Sequence, residues 1–256
     1  MNKRIIIFLI FIVIVASALR LWQLGKVPIS PDWDEVALGY NSYSIMQTGR
    51  DEYGKFLPII LRSFDDYKPA LYAYLAMPSI GILGLSVIAV RLPSAVFGIL
   101  TIFAVFFLVK ELFKKDSIAL LTSFLLTISP WHIQFSRVAF EANVGVALNV
   151  LGIVFFLKAF KKPWFLFLSA LMFGLSLHAY QSEKVFVPLL IAIFVYSFKK
   201  EFLTISKKYI YISLIIFAII CLPLIHFTLT NKDALSRAKT VSIFSNTSIV
   251  EENTEK

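Results

Sequence analysis

The stretch Leu92-Pro-Ser-Ala-Val-Phe-Gly-Ile-Leu-Thr-Ile-Phe-Ala-Val-Phe-Phe-Leu-Val109 carries no charged residue on any helical face. A helix of a soluble protein shows a polar stripe at helical period, so a run this long and apolar all round reads as a membrane span. Tyr209–Leu229 has the same character. The composition agrees: 58% hydrophobic residues, 25 Phe and a mean hydropathy of +0.79 exceed what one soluble core of 256 residues can hide. The excess must face lipid.

Working outward, apolar runs fall at Ile5–Leu24, Pro69–Leu85, Val87–Val109, Ser117–Gln134, Val144–Leu157, Trp164–Tyr180, Val185–Phe198 and Tyr209–Leu229. Clusters of Lys and Arg mark cytoplasmic ends of spans. Here they are Lys3-Arg4, Lys110/Lys114/Lys115, Lys158/Lys161/Lys162 and Lys199/Lys200/Lys207/Lys208. All four lie inside only if Pro69–Leu85 does not cross. Pro78, Gly81 and Gly84 interrupt that run, and Tyr72 and Tyr74 suit an interface.

The expected fold is therefore all-α: a polytopic bundle of about seven transmembrane helices, with interfacial helices in the first outer loop. Residues 1–230 form the membrane module, residues 25–86 its first outer loop, and residues 231–256 a polar outer tail or the start of a further loop. The N-terminus is cytoplasmic in the cell membrane. Under this arrangement the cytoplasmic side holds 12 Lys/Arg and 3 Asp/Glu, so the formal charge of +9 sits inside. That position explains the basicity, and no basic patch interleaves with aromatics in a soluble segment, which argues against nucleic acid. A cleaved signal peptide is the competing reading of Lys3-Arg4 and Ala16-Ser17-Ala18, but the apolar run continues through Leu19, Leu21 and Trp22. The single Cys221 allows neither an internal disulfide nor a metal cluster.

The first loop gathers unusual charge. Pro31-Asp32-Trp33-Asp34-Glu35 opens a weakly amphipathic stretch that Asp32 or Asp34 can cap. Asp34 and Glu35 are placed to aim a carboxylate into a cleft at the membrane surface, as a general base would be. Asp51, Glu52 and Lys55 read instead as a solvated loop. Further along, Lys68, Arg91 and Arg137 are cations at one membrane edge, suited to a phosphate. Glu141, His178, Tyr180 and Gln181 fall at the same edge. No His/Cys/carboxylate spacing makes a metal site, and no Walker or Rossmann glycine pattern appears.

Asp34-Glu35, Gly49-Arg50-Asp51-Glu52-Tyr53-Gly54, Tyr67-Lys68-Pro69-Ala70-Leu71-Tyr72, Arg91-Leu92-Pro93-Ser94, Ser136-Arg137 with Glu141, and His178-Ala179-Tyr180-Gln181-Ser182 follow one another in an informative order. Together they resemble the polyprenyl-phosphate-sugar-dependent glycosyltransferases of GT-C fold, the protein O-mannosyltransferase and aminoarabinose-transferase type. The resemblance runs from residue 20 to about residue 245. It implies transfer of a sugar from a polyprenyl- or dolichyl-phosphate donor to a protein, lipid or glycan acceptor on the outer face. It also implies Asp34 as base with Glu35 in support, Lys68 on the carrier phosphate, and Glu141 near the site. It leaves a divalent cation open as cofactor. It further implies additional spans and a soluble outer domain beyond the seventh helix.

Two positions depart from the pattern: Ala70 replaces the second proline of the family's Lys-Pro-Pro motif, and Ala37 stands where the aminoarabinose branch has an arginine. A lipid-linked-sugar flippase or a non-catalytic membrane subunit are the alternative classes. The first would show charged or broken helices at mid-depth and repeated halves, which the sequence lacks.

Overall fold

The computed structural model describes residues 2–63 and 66–230. The expected tail, residues 231–256, lies outside the described residues. The chain order is α1 (Lys3–Leu21), α2 (Trp33–Thr48), β1 (Ile60–Ser63), β2 (Asp66–Pro69), α3 (Leu71–Leu83), α4 (Val87–Phe113), α5 (Asp116–Ile128), α6 (Pro130–Ser136), α7 (Glu141–Ala159), α8 (Phe165–Ser176), α9 (Glu183–Ser197), α10 (Lys199–Leu203) and α11 (Lys207–Thr230).

Every expected span is helical, but length divides them. Among the described residues α1, α4, α7 and α11 are long and apolar enough to cross a bilayer. A fifth span results if α5 and α6, bent by 63° at Ser129, count as one. That is fewer than the seven expected. The reason lies in the helix ends: turns at Lys161–Trp164 and Leu177–Ala179 cut α8 to 12 residues, and α9 has 15. At 1.5 Å per residue α8 reaches about 18 Å, against a hydrocarbon core of about 30 Å. The 13-residue α3, with Pro78 inside it, is likewise too short to cross.

The bundle is built around α4 and α7. Helix α4 packs on α7, α5 and α1, and α7 on α8. Small residues set these approaches, as is usual where lipid supplies no hydrophobic drive between helices. A Cβ at Gly152 of α7 would lie 2.7 Å from the Phe173 ring of α8, and the Ser169 hydroxyl donates to the Gly152 carbonyl at 2.8 Å. The opposite faces of the outer helices, such as Ile7, Phe8, Phe11 and Ile14 on α1, are exposed and apolar, as lipid contact demands.

At one end of the bundle, the segment between α1 and α4 folds back over the helices. Helix α3 buries Tyr72, Ala73, Ala76 and Ile80 between α2 and α4, fastened by Tyr72 Oη donating to the Val90 carbonyl at 2.8 Å and Ser79 Oγ to the Ala89 carbonyl at 2.6 Å. Before it, β1 and β2 form an antiparallel hairpin in which Leu61 pairs with Lys68 and Arg62 with Tyr67. This two-stranded element is a small addition to the all-helical expectation.

Candidate active site

Helix α2 begins with a capping box. The Asp32 carboxylate accepts from the Trp33 N–H at 2.8 Å, and the Asp32 N–H donates to Glu35 Oε2 at 3.0 Å. One residue apart on a helix means about 100° of rotation, so Asp34 and Glu35 point to different places. Glu35 turns inward and is 4% exposed. Its Oε1 accepts from Arg91 Nε at 2.8 Å and from the Ala139 N–H at 2.7 Å, and its Oε2 also accepts from Arg91 Nη2 at 2.9 Å. Burial pushes this carboxyl up; the hydrogen bonds from Arg91, Ala139 and Asp32 and the Arg91 charge outweigh it and hold Glu35 below the usual glutamate range.

Arg91 itself is fully buried, and all five of its N–H groups have acceptors. Besides the two on Glu35, they reach the carbonyls of Leu24, Pro28 and Ser30 at 2.9 to 3.2 Å. Arg137 does the same for the preceding turn, donating to the carbonyls of Leu19, Trp22 and Val27 at 2.8 to 2.9 Å, and it is 7% exposed. The expected basic lip of Lys68, Arg91 and Arg137 is therefore not assembled here: both arginines turn into the chain and hold the connection from α1 to α2. Helix-end position does not distinguish such an arginine from one that reaches out.

Asp34 turns outward. It is 46% exposed and forms an ion pair with Lys68 Nζ, itself 13% exposed. Period-two alternation explains how the hairpin delivers the lysine. Ser63 and Lys68 share the face toward α2, whereas Ile60, Arg62 and Tyr67 share the other. Trp33, Val36, Ala37 and Tyr40 of α2, with Glu52, Tyr53 and Ser63, line an open cavity of about 450 Å³ beside the pair. Asn41 and Glu52 fix the loop against α2 reciprocally, Asn41 Nδ2 donating to Glu52 Oε1 at 2.9 Å and the Glu52 N–H to Asn41 Oδ1 at 3.1 Å. Asp51, expected as a solvated charge, is instead 6% exposed, its Oδ1 accepting from the N–H groups of Tyr53 and Lys55 at 3.0 and 2.8 Å. A tight Asx-type turn needs that acceptor inside.

Of the remaining expected residues, Gln181 reaches the same hairpin, its amide donating to the Tyr67 carbonyl and accepting from Lys184 Nζ at 2.7 Å. His178 Nε2 lies 2.8 Å from the Ile220 carbonyl and so ties this turn to α11. Tyr180 stands against Phe140 at 6.2 Å between ring centroids. Glu141 is 3% exposed in the first turn of α7. Sequence reading passed over Arg20, which is buried within α1 on the carbonyls of Ala16, Leu126 and Thr127 and on His132 Nδ1. A charge inside an apolar run was the available signal. Among the described residues no group of three or more His, Cys, Asp or Glu could hold a metal ion.

The architecture recurs in solved structures. The oligosaccharyltransferase AglB of Archaeoglobus fulgidus, in complex with an inhibitory peptide and a dolichol-phosphate, superposes with a TM-score of 0.65 at 15% identity over 87% of this chain. The Archaeoglobus fulgidus oligosaccharyltransferase in its apo form gives 0.64 at 15% identity over 86%. This chain spans 29% of the length of each. No curated protein matches it. The fold is that of the GT-C membrane glycosyltransferases.

Residues 67–227 match the sequence model of the dolichyl-phosphate-mannose-protein mannosyltransferases, and the chain belongs to that family. Lys68, Arg91, Arg137, Glu141, His178, Tyr180 and Gln181 fall inside the matched segment, whereas Asp34 and Glu35 precede it.

Proposed function

We propose that this chain contributes the donor side of a glycosyltransferase that moves a sugar from a polyprenyl-phosphate carrier to an acceptor at the outer face of the cell membrane. The observation that carries this reading is the Asp34–Lys68 pair, Asp34 46% and Lys68 13% exposed, which joins α2 to the hairpin next to the cavity that Trp33 and Ser63 line. A lipid-linked phosphate arriving at the bilayer edge competes for Lys68 and releases Asp34. The freed carboxylate then takes the proton that an acceptor hydroxyl or amine loses as it attacks the anomeric carbon. Glu35, Arg91 and Arg137 keep this lip in place from beneath.

The test is release of free polyprenyl phosphate from polyprenyl-phosphate-mannose by proteoliposomes containing the protein, or the longer enzyme if the reading frame continues. Lys68→Gln is expected to weaken donor binding by roughly tenfold or more, the value of one charge-assisted contact. Unchanged donor affinity in Lys68→Gln would overturn the phosphate assignment.

The reading also fixes sidedness. After replacing Cys221, a single cysteine at Ser86 should label from outside intact cells and one at Lys114 should not. Outside labelling at Lys114 would invert every later helix and place the cavity in the cytoplasm.

A further inference from the structure

The far end of α4 lies among lysines, and the structure divides them into two groups. Lys114 and Lys161 both reach Glu111 Oε2, at 2.8 and 2.9 Å, and Lys110 reaches Asp116 Oδ1 at 2.7 Å. Lys199 and Lys200 of α10 and Lys207 and Lys208 at the start of α11 differ: all four are exposed, and among the described residues none of them forms an ion pair. Lys199 lies against the Tyr196 ring, 5.6 Å from its centroid, and Glu201 is the one carboxylate in this stretch. Next to these lysines a crevice of about 190 Å³ runs between α9 and α11 over α8. Buried Phe156 and Phe173 floor it, Val195 stands on one wall and Ile210 and Leu214 on the other. Phe202 of α10, stacked on Phe156 at 5.9 Å, borders it at the lysine end. Its two serines, Ser169 and Ser213, donate their hydroxyls to the carbonyls of Gly152 and Tyr209 at 2.8 Å, so the lining offers hydrocarbon. Lys207 precedes Ile210 by three residues and Leu214 by seven, which puts it on the crevice face of α11, and Lys199 likewise precedes Phe202 by three. A helical side chain leans toward the helix N-terminus, so Lys207 leans from the apolar lining toward water.

We propose that the crevice and the four lysines form one site for an anionic phospholipid, with an acyl chain in the crevice and the phosphate head group on Lys199, Lys200, Lys207 and Lys208. Water finds no partner in an apolar crevice, whereas a hydrocarbon chain fills it. That half of the site accepts any lipid. The unpaired charges select, each lysine near an anionic head group being worth roughly fivefold in affinity, and Glu201 opposes them. None of these residues belongs to the Asp34–Lys68 site, so the inference stands apart from the glycosyl-transfer reading.

The purified full chain in detergent is titrated with dioleoyl phosphatidylglycerol or dioleoyl phosphatidylcholine, and bound lipid is counted by native mass spectrometry. Phosphatidylglycerol should saturate and bind roughly tenfold or more tightly than phosphatidylcholine. Lys199→Gln combined with Lys207→Gln should weaken phosphatidylglycerol roughly twenty-five-fold, two lysines at fivefold each, and leave phosphatidylcholine unchanged. Glu201→Gln should tighten phosphatidylglycerol. Lys115→Gln, the same loss of charge at the same end but outside the crevice, should change neither lipid. Leu214→Trp, which puts a ring into the crevice, should weaken both. All of these positions are exposed, and an unchanged melting temperature shows that the variants are folded. Equal affinity for the two lipids, unaltered binding in the double lysine variant, or an equal loss in Lys115→Gln overturns the head-group site. Unaltered binding in Leu214→Trp overturns the placement of the chain. Displacement of phosphatidylglycerol by an equimolar amount of polyprenyl phosphate gives the crevice to the carrier and overturns the phospholipid as its occupant.

Discussion

Asp34→Asn is expected to lower transfer by roughly a hundredfold to ten-thousandfold, the usual worth of a positioned general base, with insertion and donor binding retained. The nucleophile must shed a proton as the carrier phosphate leaves, and the receiving group has to be reachable from the cavity. Asp34 is 46% exposed, and its chain neighbour Trp33 lines the open cavity with Tyr40 and Tyr53, so a substrate can reach it from outside. Its neighbour Glu35 borders a different cavity, beside Tyr40 and Val87, but is 4% exposed and both of its oxygens are taken by Arg91, the Ala139 N–H and the Asp32 N–H. The substitution also removes the charge that holds Lys68, so donor affinity should stay level or rise. Labelled acceptor and released polyprenyl phosphate, followed together in proteoliposomes, measure both quantities. Near-normal turnover in Asp34→Asn would move the base to Glu35 or Glu141.

Arg91→Gln should cost about 3–5 kcal/mol of stability, because it strands a buried carboxylate and leaves three carbonyls without their donor. Thermal unfolding in detergent reads this directly, and Glu35→Gln combined with Arg91→Gln should recover part of the loss. The pair also has a pH signature. A carboxyl whose folded pKa is depressed contributes stability that is fully present above its unfolded pKa, about 4.3 for glutamate, and that disappears as pH falls through the lower folded value. Wild type should therefore lose stability below the ordinary glutamate range, and Glu35→Gln should lose less. If Arg91→Gln melts like wild type yet binds donor poorly, Arg91 serves the phosphate after all.

The helices could be read from the sequence because lipid contact demands apolar residues on every exposed face, and that demand shows in composition alone. Their lengths could not, since the turns around α8 depend on how Lys161–Trp164 and His178–Gln181 pack against neighbours. The opening of α2 was legible in Asp32 and Glu35, whose three-residue spacing is a capping signal. The same spacing gives no hint that Glu35 would meet Arg91, 56 residues away. Arg91 and Arg137 looked like free cations because their acceptors are backbone carbonyls, which any sequence supplies. Lys68 meeting Asp34 was equally hidden: the hairpin that joins them is four residues per strand, too short for alternation to stand out.

That brevity gives the hairpin an unusual leverage over recognition. A strand shifted by one residue presents its former back as its front. Inserting a single amino acid into β2 between Tyr67 and Lys68 would reverse which cavity each residue before it faces, moving Tyr67 to the Asp34 side and stripping a ring from the smaller cavity that it lines with Arg62 and Phe227. One register therefore sets which side chains border both cavities at once.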